Sequence, residues 1–356
     1  MNILIIGGTR FLGRHLTEAL IRGNQEVTLL NRGNFKNKVP FYEDVEWLIC
    51  DRHDEEKFTN LLADREFDVV IDTCGYTLEE VEMTVKILRG KIGKYIFTST
   101  IDVAKIRDED DRQILPIKNR RLFPIITQSP YAYNKSVIEE FLVEQFDKSG
   151  FPFICLRPCE INGPGEVREW YYIDRLKHGR QKILIPGFGD NLVQPGYIDD
   201  IIQGFLLAIV KENAIGECYN ITGDDIISLN DYIKVIAETM GEKVRIVNMP
   251  YQTFYDLVNT RYSFPFCNKH SFVVDISKIK TELGYQPEVS IKDGIRKSLV
   301  GWTEEYTKYT TPYNPTGEFE FISYDLEDLL ITVWEKVMEE STERIRVELL
   351  QKGMLI

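Results

Sequence analysis

The chain has only four histidines and six cysteines among its 356 residues. The histidines are scattered singly and no two cysteines are spaced as CxxC, so neither residue type forms the close groups that metal sites usually require. Most of the cysteines lie inside apolar runs, which favours buried free thiols over disulfide bonds or a metal centre. The residues concerned are Cys50, Cys74, Cys155, Cys159, Cys218, Cys267, His15, His53, His178 and His270.

No segment approaches the roughly 20 consecutive apolar residues that span a bilayer. An export signal is not evident either, because the first apolar strand follows directly after Met1 and Asn2, and we expect a cytoplasmic protein. A basic excess is also missing, since the formal net charge is −13. Contacts to a phosphate backbone depend on lysine and arginine, so the sequence disfavours a nucleic-acid partner.

Short apolar runs alternate with amphipathic helical patterns throughout the first half of the chain. This alternation predicts an α/β fold with a doubly wound parallel sheet (Rossmann-like) and helices on both faces. Beyond Pro158 helices mix with short strands and long loops, as expected of a smaller α/β lobe. We predict a first domain over 1–158, a second lobe over 159–302 from which segments return to the sheet, and a C-terminal helical extension over 303–356.

The pattern also assigns individual elements. Strands are predicted over 3–6, 26–31, 45–50, 67–74, 94–100 and 152–158, with helices over 11–22, 55–63, 78–88 and 131–146. Helices over 167–178 and 199–210 and strands over 183–186, 218–222 and 244–249 are assigned to the smaller lobe. Residues 102–130 read as a polar surface loop, and 326–350 as an amphipathic helix that packs on the protein rather than binding a partner.

The stretch Gly7-Gly8-Thr9-Arg10-Phe11-Leu12-Gly13 links the first strand to the first helix. A strand, a glycine turn and a helix N-terminus bring free backbone N–H groups and the positive end of a helix dipole to one point, which suits a pyrophosphate. The alternative is a purely structural turn. The apolar strand before the glycines and the amphipathic helix after them favour dinucleotide binding by the first domain.

The end of the second strand indicates which dinucleotide is bound. An NAD-binding protein usually places a carboxylate there to bind the ribose 2′-hydroxyl, whereas this chain has Asn31 and Arg32. Together with Arg10, Arg32 is able to form bidentate hydrogen bonds with a 2′-phosphate, which favours NADP slightly over NAD. Alternatively, both arginines only solvate the loop or stack on adenine.

Tyr131 and Lys135 are four residues apart at the start of a helix and share one face. A lysine ammonium and an oxidised nicotinamide both favour the tyrosine phenolate; lowering the phenol pKa from about 10 to about 7 takes roughly 4 kcal/mol. Such a phenolate is a general base. A YxxxK pair alone is common on helices and usually carries no function.

The order of motifs makes the pair informative: the glycine turn, then Phe97-Thr98-Ser99-Thr100, then Tyr131 to Lys135. With "CDRHD", "DTCG", "LRPCEINGPG", "YIDDI" and "LGYQP", the chain resembles the extended short-chain dehydrogenase/reductase family, the NAD-dependent epimerase/dehydratase group, over roughly residues 1–300. Arg10 in place of the family's middle glycine is a variant seen in a divergent GGxRFxG branch that includes chloroplast stem-loop RNA-binding proteins.

The resemblance implies a catalytic set of Thr100, Tyr131 and Lys135, in which Tyr131 is the acid/base and Lys135 lowers its pKa and holds the nicotinamide ribose. It implies that the cofactor contacts Gly7, Thr9, Arg10, Phe11, Leu12, Gly13, Asn31, Arg32, Asp51, Arg52, Thr73, Cys74, Gly75, Thr98, Tyr131, Lys135 and Pro158. It also implies that substrate, bound by the second lobe, contacts Thr100, Tyr131, Glu160, Asn162 and Gln194. The helix that begins at Tyr131 is a usual dimer surface in the family, so a homodimer is expected.

Departures from the family pattern restrict the reaction. Thr100-Ile101-Asp102 stands where 4,6-dehydratases have Thr-Asp-Glu, which disfavours dehydration. The Asn and Arg that often hold a substrate pyrophosphate are missing near Glu160 and Gln194, and the carboxylate of Glu160 repels phosphate.

Three functions follow from these sequence features. The favoured one is an NAD(P)-dependent epimerase or oxidoreductase that acts on a sugar hydroxyl carbon, with a nucleotide sugar as the first candidate substrate. The alternatives are a non-catalytic dinucleotide-binding protein of the RNA-binding-like branch and a reductase of another hydroxylated metabolite.

Overall fold

The computed structural model describes residues 1–104, 118–123, 129–258, 264–266, 271–301, 321–352 and 354. These residues fall into two compact units: the first comprises Met1–Glu166, Val193–Ile226 and 272–301, and the second Val167–Leu192, Ile227–Ser271 and the described residues from 321 onward. The domain boundaries predicted after 158 and 302 stay predictions. Cys267, His270, most of the insert at 102–130 and the start of the C-terminal extension lie outside the described residues.

Nine of the strands in the described residues overlap runs predicted from the sequence, and the four two-residue strands were not predicted. Their bounds are β1 Asn2–Ile6, β2 Glu26–Asn31, β3 Glu46–Ile49, β4 Phe67–Asp72, β5 Ile92–Thr98, β6 Phe153–Pro158, β7 Ile161–Asn162, β8 Lys182–Pro186, β9 Leu192–Val193, β10 Gly196–Tyr197, β11 Glu217–Ile221, β12 Ile227–Ser228 and β13 Arg245–Met249. The helices are α1 Phe11–Arg22, α2 Glu55–Leu62, α3 Leu78–Leu88, α4 Pro130–Ser149, α5 Val167–Lys177, α6 Ile198–Val210, α7 Leu229–Met240, α8 Tyr251–Val258, α9 Ser277–Leu283, α10 Ile291–Gly301 and α11 Tyr324–Gln351.

A seven-stranded parallel sheet forms the centre of the first unit, in the order β11-β6-β5-β4-β1-β2-β3. The doubly wound parallel sheet predicted from the sequence is therefore confirmed. Strand order reverses beside β1, and in open parallel sheets ligands bind outside the carboxyl ends of the strands at such a point.

Strand β1 shows why helices cover both faces of this sheet. Ile3 and Ile5 face a core formed with α1 and α6, whereas Leu4 and Ile6 face a core formed with α2, α3 and α4. All four side chains are at most 1% exposed. Because consecutive strand residues point to opposite faces, a run without polar residues needs cover on both sides.

Strand β11 and helix α6 belong with the main sheet, although the sequence pattern assigned 218–222 and 199–210 to the smaller lobe. β11 pairs with β6 as the edge strand and α6 packs on one face of the sheet, so both are segments of the predicted second lobe that return to the sheet. The outer edge of β11 is covered by Asn119, which donates through Nδ2 to the carbonyl of Cys218 at 3.0 Å and accepts at Oδ1 from the backbone N of Asn220 at 2.7 Å. Local pattern cannot reveal such a pairing, because the strands are distant in sequence.

The second unit contains the parallel pair β8 and β13 together with α5, α7, α8 and α11. Helix α11 is anchored by a buried ion pair between Arg175 of α5 and Glu327, with Nε and Oε2 2.9 Å apart. Nε1 of Trp334 donates to the carbonyl of Asn248 at 2.9 Å. The predicted helix at 326–350 is thus confirmed, and its first half packs on this unit. No helix in the described ranges is long and apolar enough to cross a membrane.

Candidate active site

A tight glycine turn joins β1 to α1. Gly7 and Gly8 adopt φ angles of +110° and +83°, which residues with a side chain rarely adopt. The turn is held from β2, because Nδ2 of Asn31 donates to the carbonyl of Gly7 at 2.7 Å. Helix α1 begins at Phe11, and a Cβ at Gly13 would lie 2.9 Å from the backbone N of Gly8. The absence of a side chain at Gly13 therefore lets the helix start directly against the turn.

Cationic side chains lie close to this turn. The guanidinium of Arg10 lies 5.4 Å from the ring centroid of Phe35, and Nζ of Lys38 lies 5.5 Å from the same centroid. Arg32 is exposed directly after β2, and Asn31 brings no negative charge to the end of that strand. The surroundings of β2 are therefore suited to an anionic group.

The two residues predicted after β3 have different environments. Asp51 is exposed, and hydrogen bonds from His53 lower the pKa of its carboxyl group. Arg52 is buried instead, and its guanidinium donates to both carboxylate oxygens of Asp72 at 3.1 and 3.0 Å. The hydroxyl of Tyr95 donates to the same carboxylate at 2.9 Å. The Arg52 side chain is thus used inside the protein, and we leave it out of the proposed cofactor contacts.

A second loop, residues 73–75, lies against the glycine turn. Thr73 donates to the carbonyl of Ile6 through its backbone N at 3.1 Å and through Oγ1 at 2.9 Å. A Cβ at Gly7 would lie 2.3 Å from that Oγ1, so the two loops fit together only because Gly7 has no side chain. Burial and the charge of Asp72 raise the pKa of Cys74 to about 12, which keeps this thiol neutral.

Helix α4 brings Lys135 to the same place. Its N-terminus is capped by Ser129, whose side chain accepts from the backbone N of Ala132, and Tyr131 lies in the first turn. Nζ of Lys135 donates to the carbonyl of Gly75 at 2.8 Å and to the carbonyl of Thr98 at 2.7 Å. Burial lowers the pKa of Lys135 to about 8. One ammonium group therefore connects the second loop, the end of β5 and the helix that carries Tyr131.

Aromatic rings surround this ammonium. Nζ of Lys135 lies 4.5 Å from the ring centroid of Phe97, 5.2 Å from that of Tyr76 and 5.8 Å from that of Tyr131. The rings of Tyr76 and Tyr131 are 6.5 Å apart between centroids and tilted by 46°. Sequence reasoning missed Tyr76, although its position directly after the predicted loop was the available signal.

A further turn along α4, Glu139 forms a buried ion pair that sequence reasoning also missed. Its carboxylate accepts from Nε and Nη2 of Arg157 at 2.8 and 2.7 Å and from Oγ of Ser99 at 2.6 Å. Arg157 also donates to the carbonyls of Arg120 and Arg121. Through Ser99, this group holds the segment between Thr98 and Thr100.

The residues predicted to contact substrate beyond β6 are Glu160, Asn162 and Gln194. Asn162 lies buried in β7, and the carbonyl of Glu160 accepts from the backbone N of Gly196 at 2.7 Å. The side-chain amide of Gln194 donates to the carbonyl of Gly223 at 2.8 Å and accepts from a main-chain N–H at 2.7 Å. Because both ends of the Gln194 amide are used within the protein, we leave that residue out of the proposed substrate contacts.

These residues fit a dinucleotide at the carboxyl edge of the sheet. The glycine turn and the N-terminus of α1 bring backbone N–H groups together in an arrangement that suits a pyrophosphate. The hydroxyl of Thr98 is buried with no hydrogen-bond partner within the described ranges, as expected of a group that a ligand satisfies. Thr100 is also buried, and its Oγ1 accepts from the backbone N of Asp102 at 3.2 Å. The predicted contacts Thr9 and Leu12 lie beside the turn, and Pro158 ends β6.

The fold and the site together define a nucleotide-binding α/β protein of the Rossmann type. The chain belongs to the NAD dependent epimerase/dehydratase family, whose family model matches residues 3–222. The resemblance inferred from the motifs is therefore confirmed.

Comparison with individual proteins agrees with this family. The chain is 30% identical over 313 residues to the chloroplast stem-loop binding protein of 41 kDa b from Arabidopsis thaliana, which covers 83% of this chain and 78% of the relative. It is 25% identical over 343 residues to human dTDP-D-glucose 4,6-dehydratase, covering 86% of this chain and 91% of the relative. The crystal structure of dTDP-glucose 4,6-dehydratase from Bacillus anthracis in complex with NAD shares the fold, with a TM-score of 0.69 at 16% identity, covering 88% of this chain and 99% of that one.

Proposed function

We propose that this protein is an NAD(P)-dependent epimerase or oxidoreductase that acts on a hydroxyl carbon of a sugar, with a nucleotide sugar as the first candidate. The observation that carries the proposal is the position of Lys135, which links the loop at Gly75, the strand end at Thr98 and the helix turn of Tyr131. The human relative is named for a nucleotide-sugar substrate, which supports this substrate class.

In the proposed reaction Tyr131 removes the proton from the substrate hydroxyl. The charge of Lys135 favours the phenolate form of Tyr131, and the hydroxyl of Thr100 orients the substrate oxygen. When bound, NAD(P) would supply reversible hydride transfer at the same carbon. In an epimerase, Tyr131 would return the proton to the substrate oxygen once the configuration of that carbon is inverted. Dehydration stays disfavoured, because Ile101 and Asp102 follow Thr100 where a dehydratase has an acidic pair.

We propose NADP over NAD as the cofactor. Arg10, Arg32 and Lys38 supply positive charge near the end of β2, and Asn31 occupies the position where NAD-binding proteins usually have a carboxylate. Cytoplasmic location and a homodimer formed through α4 are further parts of this proposal. Size-exclusion chromatography with light scattering tests the dimer.

A second function is favoured by one observation, the 30% identity to a chloroplast stem-loop binding protein. A protein of this kind would hold the dinucleotide and bind RNA without turnover. The net charge of −13 opposes it. An electrophoretic shift assay with stem-loop RNA at physiological salt distinguishes the two functions, and we expect no shift.

The decisive experiment is mass spectrometry of the small molecules that copurify with the protein. We expect NADP or NAD, and a trapped sugar nucleotide would identify the substrate class. Once a substrate is known, Tyr131→Phe should lower kcat by roughly 10²–10⁴-fold, the usual contribution of a general acid/base, and leave dinucleotide affinity unchanged. Unchanged turnover would remove Tyr131 from the mechanism. A hydroxylated metabolite without a nucleotide would favour the alternative reductase, in which Glu160 recognises a cationic or polyol group.

A further inference from the structure

Tyr76 has no role in the mechanism so far, yet its ring lies against the ammonium of Lys135, 5.2 Å from Nζ to the ring centroid. Its backbone is held firmly, because its N–H donates to Oε2 of Glu80 at 2.7 Å and the capping box of Thr77 and Glu80 follows at once. We propose that Tyr76 is a positioning residue that keeps Lys135 protonated through a cation–π contact. The inference rests on the proposed function, in which that charge favours the phenolate of Tyr131.

Among the groups that surround Lys135, the ring of Tyr76 is the one that a substitution removes most simply. Its Nζ is held by two backbone carbonyls, and Phe97 at 4.5 Å is a fully buried core residue. Tyr76 is 45% exposed, so it is replaceable without opening the core. The face of an aromatic ring attracts a cation most strongly where water is excluded, as it is around Lys135.

The charged groups around Lys135 oppose one another. Asp72 at the end of β4 and Glu80 on α3 favour the protonated form, whereas Arg52 after β3 disfavours it, and the thiol of Cys74 in the second loop is neutral. Arg52 lies in contact with Asp72 and near Glu80, with Nε 3.9 Å from Oε1 of Glu80, so its positive charge offsets part of the field of these two carboxylates. Burial then places the pKa of Lys135 at about 8, where losing one ring contact changes the protonated fraction measurably.

The test is a pH titration of Lys135 in the full-length, cofactor-free protein by NMR of ¹³Cε-labelled lysine, with the signal assigned by its loss in Lys135→Met. Tyr76→Leu and Tyr76→Met keep an apolar side chain but remove the ring, and we expect the pKa of Lys135 to fall by roughly half a unit to one unit. Tyr76→Phe keeps the ring and should restore the wild-type value. Tyr42→Leu is the matched control, because Tyr42 is 44% exposed and lies outside the site.

The proposal is overturned if the pKa of Lys135 is unchanged in Tyr76→Leu and also unchanged in Tyr76→Met. It is also overturned if that pKa falls equally in Tyr76→Phe. Titration of the wild-type protein with NADPH and NADH, followed by fluorescence, is run in parallel. Failure to bind either dinucleotide would refute the proposed function, whereas the lysine titration still decides the role of Tyr76.

Discussion

Removing Glu139 tests whether the ion pair with Arg157 holds the site together. The side chains of Arg157 and Glu139 are 0% and 2% exposed, and two hydrogen bonds of 2.8 and 2.7 Å join them. In Glu139→Ala the guanidinium stays buried and, among its partners in the described ranges, keeps the hydrogen bonds to the carbonyls of Arg120 and Arg121. A buried charge that loses its partner usually costs about 3–5 kcal/mol, and we expect the free energy of unfolding to fall by that amount.

The measurement is equilibrium urea unfolding followed by circular dichroism and tryptophan fluorescence, analysed where the two transitions coincide. The matched control is Asp147→Asn, which breaks the pair of Asp147 with Arg121, whose side chains are 55% and 37% exposed. Exposed pairs contribute about 0–1 kcal/mol, so this variant should resemble the wild type.

A double variant separates the loss of stability caused by an unpaired buried charge from the net contribution of the ion pair to the free energy of unfolding. Replacing Glu139 by Leu and Arg157 by Met removes both charges, and such replacements of buried pairs are often close to neutral. We expect the double variant to recover at least half of the stability lost in Glu139→Ala. Two results would refute the reasoning: a Glu139→Ala cost no larger than that of Asp147→Asn, or a double variant that is less stable than Glu139→Ala.

Three further predictions concern the first helix, the glycine turn and Lys135. Gly13→Val places a Cβ 2.9 Å from the backbone N of Gly8. We expect the free energy of unfolding in urea to fall by about 1–3 kcal/mol and dinucleotide binding to weaken in a fluorescence titration. Unchanged binding would contradict the proposed site. Arg10→Ala should lower the affinity for NADPH by tenfold or more and the affinity for NADH much less, because hydrogen bonds to charged groups contribute about 1.5–3 kcal/mol. An equal loss of affinity for both dinucleotides would argue against a contact between Arg10 and the 2′-phosphate. The pKa of Lys135 is lowered from 10.5 to about 8, so the unfolded chain binds more protons between these values and stability rises with pH there. Relative to Lys135→Met, the free energy of unfolding of the wild type should rise by about 3 kcal/mol from pH 8 to 10.5. Parallel curves of stability against pH for the two proteins would contradict the lowered pKa of Lys135.

Local patterns were enough to predict the part of the site nearest the N-terminus. The helix predicted over 11–22 is α1, Phe11–Arg22, because the apolar run, the glycines and the amphipathic period all agree at that point. The glycine turn was also predicted, and the φ angles of +110° at Gly7 and +83° at Gly8 agree with that prediction. The sequence pattern predicts this geometry because every contact involved joins residues that are close in sequence or that lie on neighbouring parallel strands.

The sequence pattern did not predict the direction in which individual side chains point. Arg52 and Gln194 fall at positions where the family motif predicts ligand contacts, yet the first is directed to Asp72 and the second to Gly223. The partners of Arg52 and Gln194 are 20 and 29 residues away in sequence, and Glu139 pairs with Arg157 at a separation of 18 residues. A sequence pattern gives the position of such residues along an element but not the distant group that satisfies them.

Lys135 differs from the other buried cations of the first unit. Arg52, Arg157 and Lys94 each form a salt bridge, with Asp72, Glu139 and Glu212 respectively. Within the described ranges Lys135 forms none, and it is held by two carbonyls and three rings. An unpaired buried ammonium costs folding free energy, and proteins keep such residues chiefly where a function requires them. The lowered pKa of Lys135 is therefore an argument for its place in the active site that does not depend on the YxxxK motif.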